Sequence, residues 1–343
     1  MVEGLVIEGN RGQYHVETAD GIIICTLRGK LRKQFEYPVS QNWHHNVQRM
    51  KIKARDPLSV GDHVRVLPTN AGNGVIEEII KSSSHSFTRE DSKKGNVRSV
   101  AGLDQVVVVF ATRDPAPHLR LLDRFLVVAE AQELATVICI NKVDLGVDDW
   151  LAARLDVYRK LGYAVALTSA DSGAGLGELR GLLAGHISAF LGSSGVGKST
   201  LLNALQPGLS ERVSEISAST HKGRHTTTGT RLVPLGGAAG GYIADTAGIR
   251  ALALGGVAAG RLAWCFREFR PYLDQCSLGY CHHTSEPGCA IRAAVALGRL
   301  DRERYESYQR LYQDGGDAVG KSWFDAVSSE DHRLDKLAYT PGV

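Results

Sequence analysis

The rhythm of apolar and polar positions changes twice along the chain. Over residues 1–80 the apolar residues fall in short β-rich runs, GLVIEG, QYHVET, IIICTL, HVRVL and GVIEEII, separated by turn residues. Asp20-Gly21, between the second and third runs, predicts a hairpin. Five such strands in a segment this short predict a small barrel, with an OB-fold the natural candidate. Residues 81–103 are polar and aperiodic and read as a linker or mobile loop. QVVVVFA (105–111) and ATVICI (135–140) are then continuous β-branched runs, the pattern of parallel strands covered on both faces. The helical stretch HLRLLDRFLVVAEAQ lies between them, and AVALTSA (164–170), SAFLGSS (188–194) and GYIADTAG (241–248) extend the alternation. This predicts a doubly wound α/β domain over 104–257, with ligand groups on the loops after the strands. From 258 the chain turns helical and aromatic around a cysteine cluster, which makes 258–314 a third domain and 315–343 a loosely held tail.

Composition supports several domains: 343 residues exceed what one core usually holds, and 43% apolar with 22% charged residues is globular. MVEGLVIEGN lacks a basic-then-apolar leader, and no uncharged apolar stretch reaches the length of a membrane span. A cytoplasmic monomer is expected. The net charge of +3 selects no partner, but between Arg28 and Arg55 eight Lys/Arg face one acid, Glu36. That local excess suits a phosphate-rich surface as well as it suits a solvated face. Arg28, Lys30, Arg32 and Lys33 are therefore candidate RNA contacts on the barrel.

The chemistry begins at GSSGVGKST, 192–200, which satisfies G-x-x-x-x-G-K-[ST] between a strand and an amphipathic helix. Gly192, Ser193, Ser194, Gly195, Val196, Gly197, Lys198, Ser199 and Thr200 would wrap backbone N–H groups around phosphates at a helix N-terminus. Lys198 would reach the β- and γ-phosphates, and the Ser199 hydroxyl would ligate magnesium. NKVD at 141–144 follows another strand. Asp144 can accept from both N1–H and the exocyclic amine of guanine, a donor pair that adenine lacks. Asn141 and Lys142 would brace that loop and cover the ring, and Ser169 and Ala170 of TSA would offer a backbone N–H to guanine O6. DTAG at 245–248 completes the set: Asp245 toward magnesium, the Gly248 N–H toward the γ-phosphate.

In an ordinary GTPase the phosphate loop and DxxG precede the guanine and Ser-Ala loops. Here the guanine loop comes first, an order produced by joining the old termini and cutting elsewhere, which leaves the site geometry intact. Ile249 follows DxxG, where a Gln commonly orients water, so that group must come from elsewhere. KGRHTTTGTR (222–231) supplies candidates: His225 to position water, and Thr227 for magnesium, with Thr226 and Thr228 as rivals. Cys276, Cys281, His283 and Cys289 form C-x4-C-x-H-x5-C, a closed set for one structural zinc ion, with His282 a rival for the imidazole.

CTLRGKLRK, LDQVVVV, LLDRFL, NKVDL, SGVGKSTLLN, GRHTTT, DTAGIR, FREFRP and the cysteine cluster together make the chain resemble the circularly permuted GTPases of the RsgA/YjeQ type. These act on the bacterial small ribosomal subunit in its late maturation. The resemblance covers nearly the whole chain. It implies an OB-fold barrel, a circularly permuted P-loop GTPase domain and a helical zinc-binding domain. It also implies that GTP is turned over to GDP in response to the 30S subunit and its 16S rRNA, that His225 acts on water, and that His283 is the zinc ligand. Ala247 stands where the family usually has Pro. Two other readings compete: a GTP-dependent RNA-binding module or chaperone with incidental hydrolysis, and a P-loop kinase or ATPase, against which NKVD argues.

Overall fold

Alternation of buried and exposed positions closes the N-terminal strands on themselves. In the computed structural model, which describes residues 1–10, 12–31, 58–69, 72–81, 89–90, 97–98, 103–211, 231–236, 240–244, 257 and 259–314, these are β1 (Val2–Asn10), β2 (Gln13–Thr18), β3 (Gly21–Leu27), β4 (His63–Pro68) and β5 (Asn73–Lys81). They form a closed barrel in the order β1-β2-β3-β5-β4, with β3 parallel to β5 and β4 returning to β1. Val6, Tyr14, Val16, Cys25, Val64, Val66 and Ile76 fill the interior. At Gly74 a Cβ would lie 2.6 Å from Val66 Cγ1, so the backbone there comes too close for any side chain. The hairpin forms, but Thr18 pairs with Gly21, so Ala19 and Asp20 make the turn and Gly21, at φ 122°, opens β3.

Within the polar segment 81–103, two-residue strands β6 (Arg89–Glu90) and β7 (Val97–Arg98) pair antiparallel where no strand was expected. Backbone pairing this short needs no apolar period, so the sequence carries no sign of it. Most of that segment, Arg32, Lys33 and the tail 315–343 lie outside the described residues.

A six-stranded sheet follows in the order β10-β9-β8-β11-β13-β12. Its strands are β8 (Gln105–Ala111), β9 (Ala135–Asn141), β10 (Ala164–Leu167), β11 (Ile187–Leu191), β12 (Leu232–Pro234) and β13 (Tyr242–Ala244). In chain order they are separated by α1 (Leu119–Ala131), α2 (Asp149–Lys160), α3 (Leu176–Leu183) and α4 (Lys198–Leu205). β8 is buried at every position, and β11 lies parallel to both β8 and β13. The edge strand β12, antiparallel to β13, was not foreseen. The barrel and most of the sheet share one compact unit, Met1–Ala116, Val137–Gly146 and Ala166–Leu252. Inside it Glu8 of β1 makes a β-bridge to Arg231, and the Tyr242 hydroxyl donates to Glu17 Oε2 at 2.8 Å. The β1 register shifts between Val6 and Glu8, a bulge next to this contact.

The second unit comprises Pro117–Thr136, Val147–Val165 and Ala253–Val343. Its C-terminal part carries α5 (Ala259–Leu262), α6 (Ala290–Ala296) and α7 (Arg302–Gln313). Residues 263–275 are mainly 3₁₀ turns rather than α-helix, with Pro271 inside the run. The last predicted helix is split, because Gly298 turns left-handed at φ 68° and Asp301 restarts the chain as the cap of α7. Phe266, Phe269, Tyr305 and Tyr308 form the aromatic centre, with Phe266 and Phe269 stacked at 5.0 Å.

Beside them Arg304 is almost wholly buried at 1% exposure. Its guanidinium donates to Asp123 at 2.6 Å and to both oxygens of Glu268 at 2.7 and 3.1 Å, while the Tyr158 hydroxyl donates to Asp123 at 2.7 Å. Removing one member of such a set strands the others. We expect Arg304→Ala to cost about 3–5 kcal/mol of stability, read from denaturant unfolding of the purified chain. A loss below about 1 kcal/mol would show that water reaches the cage.

Candidate nucleotide and metal sites

Three strands of the sheet deliver the predicted loops to one place. β9 ends in Asn141, which is 1% exposed. Its side-chain amide donates to the Val196 carbonyl of the phosphate loop at 3.1 Å and accepts from the Ala170 N–H of the Ser-Ala loop at 3.2 Å. The Thr168 N–H donates to the Ile140 carbonyl at 2.8 Å and the Val143 N–H to the Thr168 carbonyl at 3.1 Å, so the loops after β9 and β10 are laced together. Lys142 is left-handed at φ 62° and precedes a single 3₁₀ turn, Val143–Leu145, whose middle residue, Asp144, is exposed to solvent. Ser169 is fully buried; its hydroxyl accepts from the Ser172 N–H at 3.0 Å and its N–H donates to the Ala174 carbonyl at 2.9 Å. Its part is thus to shape the loop that presents Ala170.

The phosphate loop turns between β11 and α4. Gly192, at φ 146°, passes so close to β8 that a Cβ would lie 2.2 Å from the Val109 carbonyl oxygen. Gly197, at φ 88°, caps α4, and a Cβ there would lie 2.5 Å from Asn141 Nδ2. Val196 is buried, while Ser194, Gly195, Ser199 and Thr200 face solvent. The Lys198 ammonium donates to the carbonyls of Gly192 and Ser193 at 2.7 and 2.6 Å, across the mouth of the loop. An amine held there is available to an entering phosphate at the N-terminus of a helix.

His225, Thr227 with its rivals Thr226 and Thr228, Asp245 and Gly248 lie outside the described residues. On the barrel, Arg28 is exposed and paired with Glu77, and Lys30 is exposed. The sequence reading missed two supports of the guanine loop. Thr168 sits fully buried, its hydroxyl 3.4 Å from Asn141 Oδ1, and Thr112 at the end of β8 donates its N–H to the Asn141 carbonyl at 3.0 Å. A polar residue closing an all-apolar strand run was the available signal in both cases.

The predicted metal ligands converge. Cys276, Cys281, His283 and Cys289 offer ligand atoms within 4.8 Å of one another. His283 Nδ1 lies 3.5 Å from Cys276 Sγ and 3.6 Å from Cys289 Sγ. Tetrahedral zinc bonds of about 2.3 Å to sulfur and about 2.0–2.1 Å to nitrogen place S and N about 3.5 Å apart, so the donor set fits that ion. His282, the rival, is outside the group; its ring lies over Tyr312 at 5.4 Å. His283 reaches the cluster in a left-handed conformation, φ 62°. Gly288, at φ 68°, lies so near Ser277 that a Cβ would be 2.3 Å from its hydroxyl oxygen. Glu286 ties the loop by accepting from the N–H groups of His282, Thr284 and Ser285 at 2.9, 2.9 and 3.0 Å. Partial burial opposes its charge, but these donors outweigh it and hold the carboxyl down to about 2. The Tyr305 and Tyr308 hydroxyls donate to the carbonyls of His283 and His282 at 2.8 and 2.7 Å.

The close approach at Gly197 makes a sharp test of the nucleotide site. Gly197→Ala should lower GDP affinity roughly 10-fold or more, because the methyl must displace Asn141 and the backbone conformation suits only glycine. Calorimetric titration with GDP measures this, and unchanged affinity would contradict the geometry.

Comparison with known proteins gives the family. The family model described as RsgA GTPase matches residues 80–255. The Small ribosomal subunit biogenesis GTPase RsgA of Moorella thermoacetica is 38% identical over 307 residues, covering 90% of this chain and 95% of the relative. The protein of the same name from Gemmatimonas aurantiaca is 42% identical over 312 residues, with 90% and 95% covered. Among solved structures, YjeQ from Thermotoga maritima superimposes with a TM-score of 0.69 at 33% identity, over 91% of this chain and 98% of that one. YloQ, a circularly permuted GTPase, superimposes with a TM-score of 0.66 at 27% identity, over 92% and 94%. With its loops in permuted order around Asn141 and these relatives along nine-tenths of its length, the chain belongs to the RsgA family of circularly permuted GTPases.

Proposed function

We propose that this GTPase binds the small (30S) ribosomal subunit, assists its late maturation, and leaves when subunit-stimulated hydrolysis of GTP changes its affinity. The observation that carries this reading is the meeting of guanine, Ser-Ala and phosphate loops at Asn141. The names of the relatives, small ribosomal subunit biogenesis GTPases, supply the direction. Asp144, exposed at the end of its loop, selects guanine through the two donors of that edge, and the Ala170 N–H meets O6. The N–H groups of 192–200 and the Lys198 ammonium, on leaving the Gly192 and Ser193 carbonyls, take the phosphates.

Magnesium is proposed for Ser199, Thr227 and Asp245, with the Gly248 N–H toward the γ-phosphate, and when bound it neutralises phosphate charge. His225 positions the attacking water. One zinc ion is proposed for the cysteine-histidine set, which has four protein donors and so no place for substrate. RNA contacts are proposed for Arg28, Lys30, Arg32 and Lys33, with 16S rRNA as the partner. A cytoplasmic monomer is proposed; separately, no helix among the described residues is long and apolar enough to cross a membrane.

Single-turnover hydrolysis with and without purified 30S subunits tests the function. We expect acceleration of about 10-fold or more, because a site completed by its partner gains preorganisation. His225→Ala should remove about 10- to 100-fold of the stimulated rate while GTP affinity holds. No response to 30S would favour a binding module in which hydrolysis is incidental, and an unaltered His225→Ala rate would remove that residue from the mechanism. Elemental analysis should find close to one zinc per chain, and Cys289→Ser should lose it together with several degrees of melting temperature. Equal melting temperatures with and without chelator would overturn a structural role.

A further inference from the structure

We propose that Thr112 is a positioning residue of the nucleotide site and that Thr112–Pro115, outside all four recognised motifs, forms a fifth element of it. The inference rests on the reading of Asn141–Asp144 as the guanine loop.

Thr112 is buried where the chain leaves β8. It makes two bonds to consecutive carbonyls of the guanine loop, its N–H to Asn141 at 3.0 Å and its hydroxyl to Lys142 at 2.8 Å. The second bond matters because Lys142 is left-handed, a conformation that an ordinary side chain resists. A residue so placed turns its carbonyl out of line with the strand, where it accepts from the Leu145 N–H at 3.0 Å and takes the Thr112 hydroxyl as a second donor. The only side-chain donor recorded for it among the described residues is Thr112. On the other edge the Val143 N–H is held by the Thr168 carbonyl. The turn from Asn141 to Val143 is therefore clamped from β8 on one side and from the Ser-Ala loop on the other, and the clamp aims the next residue, Asp144.

The rest of the segment reaches the phosphate end. Asp114, itself left-handed at φ 52°, offers its carbonyl to the Lys142 ammonium. Lys142 Cε comes within 3.9 Å of where a Cβ on Gly197 would lie. Pro115 Cδ comes within 3.6 Å of the same point on Gly195, at the tip of the phosphate loop. The Lys142 stem thus passes over the phosphate loop and is pinned by Asp114 at its far end. Thr112–Pro115 holds the base loop by its backbone and the lysine by its charge.

A bland alternative gives Thr112 only the duty of satisfying a buried carbonyl. The two differ in what a variant changes. Thr112→Val keeps the shape and removes the donor, and Thr112→Ser keeps the donor. If Thr112 aims the base loop, Thr112→Val weakens GDP binding about 3- to 15-fold, mainly through faster release, with kcat at saturating GTP nearly unchanged. Thr112→Ser, which keeps the donor to the Lys142 carbonyl, should stay within about 2-fold of wild type. Fluorescent-GDP release, steady-state GTP turnover and a melting curve on the full chain measure all of this. Should Thr112→Val not fold, Thr112→Ala carries the comparison.

Wild-type GDP release from Thr112→Val, or a lower melting temperature with unchanged release, overturns the proposal. Asp144→Ala in the same assay separates the two readings. If Asp144→Ala loses GDP and Thr112→Val does not, only the role of Thr112 fails; if neither changes binding, the guanine loop itself is misassigned.

Discussion

One planar amide holds the nucleotide site together. Asn141 is buried and uses both halves of its side chain, donating to the phosphate loop and accepting from the Ser-Ala loop. No other common side chain of its size offers a donor and an acceptor on one rigid plane. Aspartate would lose the donor, and alanine would leave a buried carbonyl and a buried N–H unpaired, at about 1–3 kcal/mol each. The amide therefore fixes the separation between the base end and the phosphate end of the site. Gly197 belongs to the same constraint, since its missing Cβ is the space that Asn141 occupies. A hydrogen bond between strand-end loops does not depend on which loop is synthesised first. That is why the chain can carry its guanine loop before its phosphate loop and still build the same site.

What could be read in the sequence follows from how local each signal is. β8 and β9 announced themselves because strands buried on both faces must be apolar without interruption. The three motif loops that meet at Asn141 could be marked out because each is a short run of distinctive residue types at the end of a strand. The edge strand β12 was not: Leu232–Pro234 is too short to show a period, and its partner β13 is equally short. The 3₁₀ character of residues 267–275 was hidden because FREFRPYLDQ has the apolar spacing of a helix, with only Pro271 to argue against it. Thr112 was marked only as a polar residue closing the apolar run of β8, because the carbonyls it bonds, those of Asn141 and Lys142, lie far along the chain.

Arg304 shows the limit most clearly. In RERYESYQRLYQ it reads as one more exposed charge on a polar helix, yet it is among the most deeply buried side chains described. Its compensation comes from Asp123, 181 residues away, and from Glu268, 36 residues away. The motifs LLDRFL and FREFRP marked the family without suggesting any chemistry. Their acids, Asp123 and Glu268, turn out to be the two carboxylates that make a buried guanidinium tolerable. Arg267 and Arg270 of the second motif likewise close on Glu130 of α1, at 2.6 and 2.5 Å. These motifs are structural, and the ion network joins α1 to the C-terminal domain within one unit.

The metal loop is tied to that same network through a single helix. α7 carries Arg304 toward α1, and its next residue, Tyr305, with Tyr308 one turn beyond Arg304, carries the hydroxyls that bind the His283 and His282 carbonyls. On a helix, residues three and four positions apart are neighbours, so Tyr308 stands beside both Tyr305 and Arg304, and the acid cage and the metal loop press on adjacent parts of α7. The cluster residues lie between the 3₁₀ turns and α6, with Cys289 in the buried core and Cys276 and Cys281 packed against it. They rely on those two tyrosines and on Glu286 for their shape. Four donors that can close on a metal and one arginine closing on two acids thus meet on one short helix. The helices α1 and α2 are gathered with the C-terminal residues into one unit, and the Arg304 cage is one of the ties within it, beside the bidentate pair of Arg154 on α2 with Asp301 at 2.8 Å.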